Sequence, residues 1–185
     1  MKTRRVFKPS DSKSGDGMLT TVWGPSLWHF LHTMSFNYPV EPTPQQKQYY
    51  RGFILNLENV LPCKYCRMNL TKNFKQLPLT MSHMKNRDTF SRYIYQLHEL
   101  INKMLGKTSN LTYCDVRERY EHFRARCTLN EPSKEKGCTE PLVGKKSKGI
   151  IQIIPKDTPC ESIQIDQQCL KRPIEMNESS TKFTL

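Results

Sequence analysis

Apolar residues recur at helical spacing from residue 21 to residue 127, and no convincing strand-like alternation appears in that stretch. The first run opens near Pro25, a residue suited to the first turn of a helix. Leu27, Leu31 and Met34 mark its face, Trp28 and His32 lie alongside, and Tyr38-Pro39 ends it. Thr43-Pro44 opens a second helix, striped by Tyr50, Phe53, Ile54, Leu57 and Leu61 and stopped by Pro62. A third follows with Cys66, Leu70, Phe74 and Leu77 on one face and ends near Pro78. The fourth carries Phe90, Tyr93, Ile94, Leu97, Ile101 and Leu105, with Gly106 where a C-terminal cap favours glycine. A shorter fifth holds Val116, Tyr120 and Phe123. Short connections between amphipathic helices predict an all-α fold, a four-helix antiparallel bundle plus a short fifth helix.

The rest of the chain reads differently. Residues 1–20 are polar and punctuated by Lys-Pro, Ser-Asp-Ser and Gly-Asp-Gly, so a flexible leader is expected there, followed by a helical domain over 21–128. Residues 129–185 are rich in Lys, Gly, Ser, Thr and Pro and predict a largely disordered, cysteine-containing tail. Its exception is Gly149-Ile150-Ile151-Gln152-Ile153-Ile154, expected to form a strand or to pack locally. No apolar run approaches the roughly 18 residues of a membrane span. The basic start, Met1-Lys2-Thr3-Arg4-Arg5, is not followed by the apolar stretch of a secretory signal, so neither a membrane partner nor secretion is expected.

The net charge of +12 sits almost wholly on the helical part. Residues 1–128 hold twenty Lys and Arg against nine Asp and Glu, and residues 129–185 hold nine against eight. A basic surface of this kind suits a phosphate-bearing cofactor, an acidic protein or nucleic acid, or is simply a solvated face.

Cys63-Lys64-Tyr65-Cys66 is the strongest chemical signal. Two cysteines in this spacing close a disulfide that opens and re-forms readily, or supply half a zinc site. At the N-terminus of the third helix, the positive end of the dipole favours the thiolate. Around the pair, the first helix offers Trp23-Gly24-Pro25 and Trp28, with His32 one turn on. His98 and Asn102 share a face of the fourth helix, and Lys107 follows its cap glycine. Each has an ordinary reading as core or surface. Together they suit a planar, phosphate-bearing cofactor beside a redox-capable pair.

Trp23-Gly-Pro-Ser-Leu-Trp28-His-Phe-Leu-His32, Tyr38-Pro39, Pro62-Cys-Lys-Tyr-Cys66 and His98-Glu-Leu-Ile-Asn102-Lys-Met-Leu-Gly-Lys107, in that order and spacing, closely resemble the Erv/ALR family of FAD-linked sulfhydryl oxidases. The resemblance covers residues 21–127. It implies a bundle of four helices plus a fifth, with FAD as cofactor. It also implies oxidation of dithiols in protein substrates, molecular oxygen as acceptor, hydrogen peroxide as product, and a homodimer. By position it makes Cys63 and Cys66 the redox pair, Cys66 nearer the flavin and Cys63 open to exchange. It puts Trp23, Gly24, Trp28, His32, Tyr38, His98, Asn102, Lys107 and Tyr120 against FAD. It also suggests Cys160 and Cys169 as a shuttle pair that carries electrons from substrates to Cys63, with a local staple as the plainer reading. Two features depart from the family. Glu99 stands where an asparagine is usual, and the third helix lacks the extra cysteine that would pair with Cys114. Cys114 and Cys127 could pair with each other but would not meet along a straight helix of roughly 20 Å, so either that helix is short or they bond elsewhere.

A zinc-stabilised basic module that binds nucleic acid is the alternative, but no second close Cys or His pair with finger spacing follows Cys66. Neither a metal nor a nucleic-acid partner is therefore expected. A flavin-binding helical scaffold without turnover is the third reading. The family's compartments leave two expectations: host cytoplasm or virion for a protein of the large DNA virus branch, otherwise the mitochondrial intermembrane space. The missing third-helix cysteine leans towards the viral branch.

Overall fold

The computed structural model describes residues 8–13, 15, 17–126, 140–141, 145–159 and 163–169. Residues 1–120 and 121–185 form two separate units. The first holds four main helices, α1 (Thr20–Phe36), α2 (Pro44–Val60), α3 (Lys64–Gln76) and α4 (Arg87–Met104), and most of the short α5 (Tyr113–Glu121). The predicted all-helical bundle with a short fifth helix is therefore what the chain forms. α1 packs on α4, α2 on α3, and α3 on α4.

Local chemistry sets the helix ends. At α2, Gln46 N donates to Thr43 Oγ1 (3.2 Å) and Thr43 N donates back to Gln46 Oε1 (2.9 Å), a reciprocal cap with Pro44 in the first turn. Asn86 and Thr89 make the same exchange at α4. Gly106, at φ +66°, ends α4 in a backbone conformation that side chains disfavour. At α3 the cap is a thiol, since Cys66 N donates to Cys63 Sγ at 3.3 Å.

α1 begins at Thr20 rather than near Pro25, which lies inside the helix. Pro25 removes only the bond to the Thr21 carbonyl, a loss the early helix tolerates. The start is secured by the segment before it. Met18 N donates to Pro62 O at 2.7 Å, and Trp23 Nε1 donates to Met18 O at 3.1 Å. Gly17, at φ +90°, allows this approach, because a Cβ there would stand 2.7 Å from Pro62 O. The end of the expected leader is thus strapped to the loop before the cysteine pair.

The core is centred on Tyr38, Ile54, Met84, Phe90, Tyr93 and Ile94, all without exposed surface. Its buried hydroxyls are satisfied: Tyr38 donates to Met84 O (3.0 Å) and Tyr93 to Leu77 O (3.0 Å). Three residues of the predicted stripes lie outside it. Phe53 is exposed and meets exposed Phe30 edge-on, at 6.1 Å. Leu105 is exposed just past α4, and Phe123 lies beyond α5.

In the second unit, Ala125–Arg126 pairs antiparallel with Glu140–Pro141, and Gln167–Cys169 forms a single 3-10 turn. The apolar run at 149–154 forms no strand. Ile150, Ile151 and Ile153 are each more than 70% exposed, because no described partner covers them.

Candidate functional site

The two sulfurs of the cysteine pair are free thiols in unequal settings. Cys63 is the N-cap of α3. Its hydrogen bond with the Cys66 side chain holds its pKa below the usual thiol value, against a smaller opposing effect of burial, and the Cys66 amide and Thr20 hydroxyl help. Cys66 packs against the core, and that burial pushes its pKa up, reinforced by the neighbouring Cys63 sulfur. The helix start therefore acts through hydrogen bonds. Arg67 is turned the other way, its guanidinium donating to Leu61 O at the end of α2.

Thr20, Gly24, Trp28 and His32 follow one another at four-residue intervals along α1, so they form one slowly winding ridge. Thr20 Oγ1 lies 3.4 Å from Cys66 Sγ at one end. Gly24 is buried and leaves a notch, where an added Cβ would meet only Thr20 Cγ2, at 3.5 Å. Beyond the notch, Trp28 stacks on His98 of α4, with ring centroids 3.9 Å apart and planes 7° from parallel. His32 Nε2 and His98 Nδ1 share a hydrogen bond of 3.0 Å. Tyr120 of α5 closes the far side, stacking on both His32 and Phe36.

The electrostatics of the imidazoles follow from burial. Desolvation, with smaller repulsions from His98 and His29, lowers the His32 pKa to about 3. Desolvation, with the Lys107 ammonium nearby, lowers His98 to about 4. Both rings are neutral at neutral pH. A shared hydrogen bond then makes one ring the donor and the other the acceptor. His32 Nδ1 is buried without a partner among the described residues. A buried orphan of this kind is costly unless something supplies its hydrogen bond.

Other expected residues are placed as follows. Trp23 is half-buried and serves the strap. Asn102 Nδ2 donates to Glu99 Oε1 at 3.1 Å, so the unusual carboxylate holds that amide. Lys107 is exposed beyond Gly106, and its backbone N–H donates to Asn102 O at 2.9 Å. An open depression of about 760 Å3 at the end of α4 includes Glu99, Lys103 and Lys107 in its lining, but not Trp28, His32 or Cys66. Tyr38 is not brought to the cluster. Its ring packs on Tyr50 and Phe90, and its hydroxyl is committed to Met84. Cys169 is half-buried in the second unit, and Cys127, Cys138 and Cys160 lie outside the described residues. Thr20 and Gly17 were missed from sequence. Gly17 reads in sequence only as part of a Gly-Asp-Gly turn signal, and Thr20 meets Cys66 only through the tertiary fold.

The Erv1/Alr family profile matches residues 25–124, a span that starts within the second turn of α1, runs past the end of α5 and includes the cysteine pair. The chain belongs to the Erv1/Alr family. Among Erv1/Alr relatives, a probable FAD-linked sulfhydryl oxidase of Acanthamoeba polyphaga mimivirus is 32% identical over 99 residues, covering 54% of this chain and 68% of the relative. A putative FAD-linked sulfhydryl oxidase of Invertebrate iridescent virus 6 is also 32% identical, over 46% of this chain and 81% of the relative. The crystal structure of the FAD binding domain of Erv1 from Saccharomyces cerevisiae superposes with a TM-score of 0.51 at 25% identity, covering 56% of this chain and 94% of that one. Erv1/Alr relatives thus include proteins of large DNA viruses, and a mitochondrial Erv1 of yeast is another. Among the described residues no helix is long and apolar enough to cross a membrane, and no group of three or more His, Cys, Asp or Glu could hold a metal ion.

Proposed function

We propose that the chain is an FAD-linked sulfhydryl oxidase that forms disulfides in thiol-containing protein substrates, with Cys63 and Cys66 as its redox pair. The observation that carries this reading is the buried, unpartnered His32 Nδ1 beside the flat Trp28–His98 stack, on the same ridge of α1 that reaches Cys66. A flavin fits these residues: it offers both an aromatic plane and hydrogen-bonding edges. Trp28, His32, His98 and Tyr120 would hold it, Gly24 would leave room, Trp23 and Asn102 would border it, and Lys107 would serve its phosphates. Tyr38 supports the site from the core.

The chain's own part in the reaction follows from the unequal sulfurs. Cys63, capping a helix and the less enclosed of the two, is the sulfur that substrate thiolates attack. Cys66, packed inward, is the one released and faces the cofactor. Bound FAD would accept the electron pair from the dithiol and pass it to molecular oxygen, giving hydrogen peroxide. Neutral His32 and His98 supply a hydrogen-bonding wall without adding charge. A homodimer through the outer face of α1 and α2 is part of the reading, supported by exposed Val22, Phe30, Tyr49, Phe53 and Val60. The viral relatives favour host cytoplasm or virion as the site of action, with the mitochondrial intermembrane space as the other setting.

Purification with oxygen-electrode assay tests the proposal. The protein should be yellow, with about one FAD per chain, and should consume oxygen with dithiothreitol. A colourless protein that binds zinc would overturn it.

The tail pair, Cys160 and Cys169, is proposed as a shuttle for large substrates. A Cys160→Ser/Cys169→Ser variant of the full chain should oxidise dithiothreitol at the parent rate but a reduced protein substrate about tenfold more slowly. Equal rates on the protein substrate would leave the tail with another purpose.

A further inference from the structure

The contact between Thr20 and Cys66 is unlike an accidental surface contact. The two residues are 46 positions apart, and Thr20 sits at the first turn of α1, outside the span matched by the family profile. Its backbone is held from both sides. The segment before it is strapped to Pro62 through Met18 N and admitted by Gly17, and Trp23 Nε1 ties the first turn to the same strap. The hydroxyl is therefore delivered to the sulfur by one strap, made of two hydrogen bonds through Met18 and admitted by Gly17.

The exchange reaction gives that position a use. A substrate thiolate attacks Cys63 Sγ of the oxidised pair, a new bond forms between substrate sulfur and Cys63, and the Cys63–Cys66 bond breaks. The electron pair of that bond leaves on Cys66 as a thiolate. The second substrate thiolate then displaces Cys63, so the substrate is oxidised to a disulfide and the pair is reduced by two electrons. The rate depends on how well the departing thiolate is stabilised. Cys66 is poorly suited, since burial disfavours its charged form. In the dithiol, either the hydroxyl or the sulfur donates across the 3.4 Å contact. Once Cys66 is a thiolate, only the Thr20 hydroxyl can donate.

We propose that Thr20 is a catalytic residue of the exchange step, donating a hydrogen bond to the Cys66 thiolate as it leaves Cys63. The inference rests on the thiol-oxidase reading for its purpose and on geometry for its substance. It makes the strap at Gly17–Met18 part of the active site rather than a leader.

The test uses the full chain and two readouts. The first is the pH dependence of iodoacetamide alkylation of Cys66, followed by peptide mass mapping in a Cys63→Ser background, which needs neither flavin nor oxygen. Thr20→Val removes the hydroxyl at constant shape, and Thr20→Ala removes it by truncation. Both should move the alkylation midpoint up by about one pH unit, and Thr20→Ser should restore it. The second readout is reduction of the flavin-loaded protein by dithiothreitol with both cysteines present. It should slow by about threefold to tenfold in Thr20→Val and recover in Thr20→Ser. An unmoved midpoint, or an unslowed reduction in an active protein, overturns the role of Thr20. A moved midpoint in a protein that consumes no oxygen overturns the oxidase reading alone.

Discussion

Cys63→Ser and Cys66→Ser should each lower dithiol-driven oxygen consumption by about a thousandfold or more, while the protein stays folded and keeps its flavin. Disulfide exchange needs two sulfurs, and neither hydroxyl can replace one. The structure explains why folding should survive. Cys63 caps α3 by accepting from Cys66 N, and serine is among the preferred residues for that position. Cys66 is only half-buried, so a serine hydroxyl there is not sealed from water. Circular dichroism, flavin absorbance and an oxygen electrode together check this. Oxygen consumption near the parent rate in either variant would show that the electrons take another path.

The second large effect is expected at the aromatic wall. Trp28→Ala removes the ring that stacks on His98, and His98→Ala removes both that stack and the hydrogen bond to His32. Either should lower flavin occupancy at least about tenfold and lower Tm in step, since a ligand held only by the native state stabilises it. Asn102→Ala, which leaves Glu99 without its amide partner, should act in the same direction more weakly. Full occupancy in all three would move the cofactor elsewhere.

Acid should expose the same wall in the flavin-free protein. With folded values near 3 and 4 for His32 and His98, against an ordinary value near 6.5, the unfolded chain binds protons first as pH falls. Stability therefore holds above about pH 6.5 and declines progressively towards pH 4. A chemical-denaturation midpoint followed from pH 7 to pH 4 reads this slope, which should shrink in His98→Ala.

What could be read in the sequence was what depends on neighbours in the chain. The helical period of α4, the Thr43-Pro44 start of α2, the glycine after α4 and the cysteines at the head of α3 are all local signals. What could not be read depends on parts that meet only after folding. Phe53 and Leu105 have the right spacing for core residues, yet are exposed, Phe53 meeting only the equally exposed Phe30. Pro25 gave the wrong start for α1 because the true start is set by the Met18–Pro62 strap, 44 residues apart in sequence. The resemblance puts Tyr38 against the cofactor; that its ring is fully buried and its hydroxyl committed to Met84 O is set by tertiary packing that no local signal shows. The hydrogen bond between His32 and His98 joins two helices and left no trace in either one's periodicity.

The ridge on α1 carries one further consequence. Thr20 and His32 are twelve helical residues apart, a span of roughly 18 Å at about 1.5 Å per residue. That helix is a ruler between the sulfur end of the site and its imidazole end. Loops between helices tolerate gain or loss of residues, because the cost of changing their length is small. A single insertion or deletion between positions 20 and 32 would instead rotate one end against the other by about 100°. Length change in this lineage should therefore accumulate in the connections and the tail, while this stretch of α1 keeps its count.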